Sequence, residues 1–223
     1  MSFLRKAVAI TRKDILSESR TREVIFSALV FALLVIVTFN FAFGADQADL
    51  TMVAPGILWV TFTFAGVLSL NRAFVPEKEE GCLEGLMASP VSREAIYVGK
   101  MLGSLLFMLV IEIIALPVFA VLFDLPVFSG QLVLVTFLAT VGFVAVGTLF
   151  AALAVNTKAR ELVLPILFLP VVVPVVICAV KASGDALAGG PWEEISSWLE
   201  ILVAFDAIFL VISFWVFNYV IEE

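Results

Sequence analysis

The sequence predicts an all-α integral membrane protein with six transmembrane helices, and three observations carry that prediction. Of the 223 residues, 62% are hydrophobic and 21 are Phe. The 13 basic and 20 acidic side chains gather in a few clusters instead of spreading along the chain. Between the clusters lie six apolar runs of about 20 residues, the length that crosses a hydrocarbon core about 30 Å thick. A soluble domain of this size needs a charged exterior, and this chain does not supply one.

Residues 1–22 are predicted to form an N-terminal interfacial helix. Phe3, Leu4, Ala7, Val8, Thr11 and Ile15 recur at three- and four-residue steps, while Arg5, Lys6, Arg12 and Lys13 share the opposite face. Such a helix lies in the membrane interface with its basic face toward anionic headgroups. Residues 23–223 then hold the six spans, Val24–Phe43, Met52–Leu70, Tyr97–Phe123, Leu132–Val155, Leu162–Val180 and Leu199–Ile221. The first is too long, and lies too far from the start, to be a signal peptide.

Basic residues set the orientation. Twelve of the thirteen Lys and Arg fall before the first span or in the loops on that same side, and Lys181 alone falls on the other. The positive-inside rule makes the crowded side cytoplasmic, and six spans put both termini there. The acidic C-terminus weighs little in that rule.

The cytoplasmic loop between spans two and three holds an unusual stretch, "EKEEGCLEGLMASP" (77–90). Pro76 suits a first helical position, and Glu77, Glu79 and Glu80 favour the positive end of a helix dipole. Leu83, Leu86 and Met87 make a small apolar stripe beside Glu84, Pro90 stops the helix, and Ser92 can cap the next one. The predicted product is a short helix over about 76–89, parallel to the membrane. A solvated loop would account for the glutamates but not for the stripe, whereas a helix docking into a groove on a soluble partner accounts for both.

Several functions are excluded. The net charge of −7, with no basic block interleaved with aromatics, gives no nucleic-acid surface. Cys82 and Cys178 have no metal-ligand spacing, so no metal site is expected. The chain has no His, which removes the commonest general base and haem ligand. Gly99 and Lys100 do not complete a phosphate-binding GxxxxGK[ST] run, because position 94 is Glu. No GxSxG elbow is present. The chain reads as non-enzymatic, and any ATP it depends on is bound by a partner.

Four features inside the spans carry functional and plain structural readings side by side. Glu112 and Asp206 are carboxyls at membrane depth, which line a pathway or interface or else make one interhelical hydrogen bond. Pro165, Pro170 and Pro174 should kink or interrupt the fifth span and make it deformable. Gly142 and Gly147 permit close helix approach. In "GGPWEEISSW" (189–198), Pro191 can start a helix whose Trp192, Ile195 and Trp198 offer an interfacial face.

The stretch "FVPEKEEGCLEGLMASPVSREAIYVGKMLG" (74–103) resembles the first cytoplasmic loop of the CcmB family, the haem exporter protein B family. So do "APGILWV" (54–60) and "VGTLFAALAVNTKARELVLPILFLPVVVPVVI" (146–177), and the likeness covers nearly the whole chain. The resemblance implies an ABC-2-exporter-like permease subunit of cytochrome c maturation in the bacterial inner membrane. By the same resemblance, a separate CcmA-like ATPase binds ATP-Mg and grips the 76–89 helix as a coupling helix. CcmC- and CcmD-like membrane proteins join the complex, and ATP hydrolysis releases the haem-loaded, CcmE-like chaperone. Two copies of the chain per complex are implied, as is an outer gate-like segment at about 183–198. Haem is handled by the complex, and no cofactor is expected on this chain itself. A passive scaffold for haem-transfer partners is the alternative, followed by a proton-coupled carrier using Glu112 and Asp206.

Overall fold

A computed structural model describes residues 3–43, 47–79, 81, 85, 91–155, 157 and 159–220. The elements are all helical: α1 (Phe3–Thr21), α2 (Glu23–Phe43), α3 (Gln47–Asn71), α4 (Val75–Glu79), α5 (Arg93–Phe123), α6 (Gly130–Val155), α7 (Arg160–Leu187) and α8 (Trp192–Val220). Among the described residues six are long and apolar enough to cross a membrane; five contain a predicted span whole, and α8 contains the sixth up to Val220, Ile221 lying outside the described residues. Several run on beyond the apolar stretch, because a helix leaving the hydrocarbon keeps its backbone bonds satisfied at no extra cost.

Two helices form the centre. In α3 and α6, 72% of the apolar window is buried, against 17% to 33% in the other four spans. Small residues let the inner helices close up. A Cβ on Gly147 of α6 would stand 2.3 Å from Leu70 Cδ1 of α3, so the close approach predicted for Gly147 is real. Phe143 of α6 meets Phe168 of α7 edge-on at 4.8 Å, a favourable aromatic geometry.

The spans alternate in direction. At one end, Asn218 Nδ2 near the end of α8 donates to Glu94 Oε1 at the start of α5 (2.8 Å), and Arg93 donates back to the Asn218 carbonyl (3.0 Å). At the other end, Asn40 Nδ2 donates to the Leu122 carbonyl (2.6 Å) and Trp59 Nε1 to Ser183 Oγ (2.9 Å). The first end carries α1 and is called the basic end below.

Of the two outcomes expected at the prolines of the fifth span, a kink or an interruption, the second is overturned: one helix runs through Pro165, Pro170 and Pro174. Pro170 and Pro174 lie on its exposed side and Pro165 is half-buried, so the rings have room and each removes only one donor from a long ladder. Residues 183–198 do not form a helix of their own, and a new helix begins just after Pro191, where the sequence put a helix start. The first part of this stretch ends α7, its last part begins α8, and Gly189 at φ +71 turns the chain between them. The amides of Gly189 and Gly190 bond back to Ala186 (3.4 Å) and Asp185 (2.8 Å), the pairing that closes a helix with a left-handed glycine.

Helix α1 lies across α5. Ala7, Ile10 and Thr11 are buried there, and Thr11 Oγ1 donates to the Gly99 carbonyl at 2.9 Å. A Cβ on Gly99 would stand 2.7 Å from Ile10 Cβ, so this crossing needs glycine. Of the predicted apolar face, Phe3, Leu4, Val8 and Ile15 stay exposed. Arg22, at φ +57, then turns the chain into α2. Glu18 Oε1 accepts the Val24 and Ile25 amides at 2.9 Å each, satisfying donors that the first turn of α2 leaves open.

Candidate functional site at the basic end

The predicted coupling loop grows out of a buried ion cluster. Lys100, in the second turn of α5, is 2% exposed. Its ammonium donates to Glu77 Oε1 (2.5 Å), to the Ala73 carbonyl (2.7 Å) and to Asp14, whose two oxygens lie at 3.3 and 3.2 Å. It also sits 5.1 Å from the centre of the Phe74 ring, a cation–π contact. Lys13 donates to the same Glu77 oxygen and lies 3.2 Å from Asp14 Oδ1. Two ammonium groups thus face two carboxylates, a neutral set drawn from α1, α4 and α5.

Each position has a local cause. Asp14 lies on the side of α1 that faces α5, where Gly103 lets it come within 3.5 Å of where its Cβ would stand, and Lys13 beside it reaches Glu77 of α4. Glu77 is placed by the turn at 72–74, where the Val75 amide bonds to the Arg72 carbonyl at 3.3 Å. Burial pushes the Asp14 carboxyl above its ordinary value, against the pull of Lys100 and Lys13. Burial lowers Lys13, but its bonds to Glu77 and Asp14 outweigh that and raise it. A cavity of about 240 Å³ opens beside the cluster between α1, α3 and α5.

The structure therefore turns Glu77 inward, 5% exposed, where the sequence reading put it on the docking helix with the other glutamates. The helix begins one residue early, at Val75, and its described part ends at Glu79. Gly81 follows at φ +67, a conformation that stops an α-helix. Glu80, Leu83, Glu84, Leu86 and Met87 lie outside the described residues, as does the side chain of Glu79. Sequence reasoning missed Lys13, Asp14 and Lys100 as a group. The available signal was a lone Asp in a basic helix, facing a lysine set between Gly99 and Gly103.

The two intramembrane carboxyls do not share a site. Glu112 is buried and accepts a hydrogen bond from Thr140 Oγ1 at 2.6 Å. Asp206 lies over Gly142, where a Cβ would fall 2.1 Å from its Oδ1. Thr140 and Gly142 are two residues apart on α6, about 200° around the helix, so the carboxyls flank it on opposite sides.

The fold and this site define a class: a membrane protein with six described spans, a surface helix and a polar loop whose first turn is held at one end. Its family follows from similarity, because residues 5–222 match the CcmB protein family. The chain belongs to that family. It is 33% identical to heme exporter protein B of Bradyrhizobium diazoefficiens over 206 residues, 92% of each chain. Against the protein of that name from Pseudomonas aeruginosa the identity is 32%, covering 79% of each chain. With its counterpart in Rhodobacter capsulatus it is 36%, over 67% of this chain and 69% of the relative.

Proposed function

We propose that this chain is the membrane subunit of a haem exporter, worked from the cytoplasm by a separate CcmA-like ATPase that holds the 76–89 loop. The observation that carries the reading is the Lys13–Asp14–Glu77–Lys100 cluster. A loop hung from flexible backbone would move under a partner's pull without moving the spans. Here the loop's first turn is fixed by ionic and hydrogen bonds to α5 and α1. Displacing it displaces Glu77, and Glu77 cannot move alone without leaving Lys100 buried and less well paired, which costs several kcal/mol. Force applied to the loop therefore reaches α5 and the surface helix together.

In this account both termini are cytoplasmic and the membrane is the bacterial inner membrane. Two copies of the chain, CcmC- and CcmD-like subunits and a CcmE-like chaperone complete the assembly, and release of the haem-loaded chaperone is the step that hydrolysis drives. ATP-Mg stays on the partner and haem is cargo. The carrier reading has less support, because Glu112 and Asp206 stand on opposite sides of α6. The test is Lys100→Met in the assembled complex. Intact ATPase docking with loss of ATP-dependent chaperone release supports transmission through the cluster, and unchanged release favours a passive scaffold.

A further inference from the structure

Helix α1 leaves a strongly charged face unpartnered. At about 100° per residue, Arg5, Ala9, Arg12, Leu16 and Arg20 fall within about 80° of one another and point away from the side that packs on α5. All five are exposed. The two acidic residues of α1 do not share this face: Asp14 and Glu18 are turned inward, 12% and 7% exposed. A groove of about 810 Å³ runs along the row and is lined by α1 residues alone, so its far wall must come from another body.

The two edges of the helix fix its roll. Lys13 and Ser17 lie on one edge and line the cavity shared with α3 and α4, with Lys13 bonded to Glu77. That edge faces the polar loop. The opposite edge carries Leu4, Val8 and Ile15, which are 70%, 58% and 37% exposed. Large apolar groups left open on a helix that turns at Arg22 straight into a span belong in hydrocarbon. The arginines stand between the apolar edge and the polar one, which is the level of lipid phosphates. The sequence reading joined Arg5, Lys6, Arg12 and Lys13 in one headgroup face, whereas the structure takes Lys13 out of it and adds Arg20.

We propose that this row selects anionic phospholipid, with the guanidinium groups of Arg5, Arg12 and Arg20 each holding a lipid phosphate. Spacings of seven and eight residues set the arginines about 10 and 12 Å apart along the axis, so each takes its own headgroup. An acidic protein surface would match the arginines but leave Leu4, Val8 and Ile15 in water, whereas a bilayer matches both. A zwitterionic lipid also offers a phosphate, but its cation finds no carboxylate on this face and is repelled by the guanidinium groups. Neither haem nor the ATPase is needed for this binding.

The test is native mass spectrometry of the purified full-length chain exchanged into an equal mixture of dioleoyl phosphatidylglycerol and dioleoyl phosphatidylcholine. A basic group near an anionic surface is worth roughly a fivefold preference, so the glycerol lipid should be retained at least about fivefold over the choline lipid. Replacing Arg5, Arg12 and Arg20 together with Gln should cut that excess to below about twofold. Its Tm should stay that of the wild type, because the packing side of α1 is untouched. Lys181→Gln, at the other end of the bundle, removes one charge and should leave the excess intact. Raising the salt from about 0.05 M to about 0.5 M should shrink the wild-type excess by screening. Equal retention of the two lipids, or an equal loss of the excess in Lys181→Gln, would overturn the assignment. An unchanged excess in the triple variant would overturn it too, and if that variant sheds a bound acidic protein, the row belongs to that partner instead.

Discussion

Replacing Lys100 with Met isolates the energetic claim. The side chain keeps much of its length and loses the ammonium. Asp14 and Glu77 then remain largely buried with Lys13 as their one cation, and the Ala73 carbonyl loses its 2.7 Å donor. Breaking a buried pair costs about 3–5 kcal/mol, and the surviving Lys13 contact puts the expected loss at the low end, about 3 kcal/mol. In a chain of this size that is a fall in Tm of about 6–12 °C. Lys13→Met is the control. Its side chain is 49% exposed and solvent screens its charge, so its loss should be no more than about 1 kcal/mol. The double change Glu77→Gln with Lys100→Met removes opposite charges together and should recover about 1–3 kcal/mol relative to the sum of the singles. The assay is thermal unfolding in detergent, followed by Trp fluorescence, with all variants at one lipid content. A Lys100→Met shift no larger than that of Lys13→Met would refute the cluster as a buried, coupled unit.

Other consequences are checked by the same unfolding assay or by simple titration. Gly142→Ala puts a methyl where Asp206 Oδ1 stands 2.1 Å away, so it should destabilise by about 1–3 kcal/mol, and Asp206→Ala should relieve most of that. Glu112→Gln keeps an acceptor for Thr140 Oγ1 and should fold close to wild type, whereas Glu112→Ala should lose about 1–3 kcal/mol. Thr11→Val removes the bond to the Gly99 carbonyl and should loosen α1 by about 1 kcal/mol, read as faster hydrogen exchange in residues 3–21. Haemin added to the isolated chain, which has no His, should give no saturable Soret shift.

The spans were readable because hydropathy over 20 residues depends on composition alone. What composition does not encode is which side of a helix meets which neighbour. Lys100 reads from the sequence as one more basic residue near a span end, and Lys13 as part of a headgroup-facing stripe, yet both turn toward Glu77 on another element. Glu77 reads like its glutamate neighbours, and its bond to Lys100 comes from an element 23 residues further on. The prolines of α7 leave the helix continuous for a different reason. A missing donor is a local fact, whereas helix continuity depends on the whole ladder and on the room an exposed face gives the ring. Gly142 and Gly147 were legible as close-approach sites, but the partners they admit, Asp206 and Leu70, come from distant sequence.

The most direct test of the central claim is a photocrosslinker placed at Gly85, an exposed residue of the loop, in living cells. The account predicts an adduct with a nucleotide-binding subunit whose yield changes when ATP hydrolysis is blocked. Adducts that reach only lipid or other membrane subunits, in every nucleotide state, would contradict it.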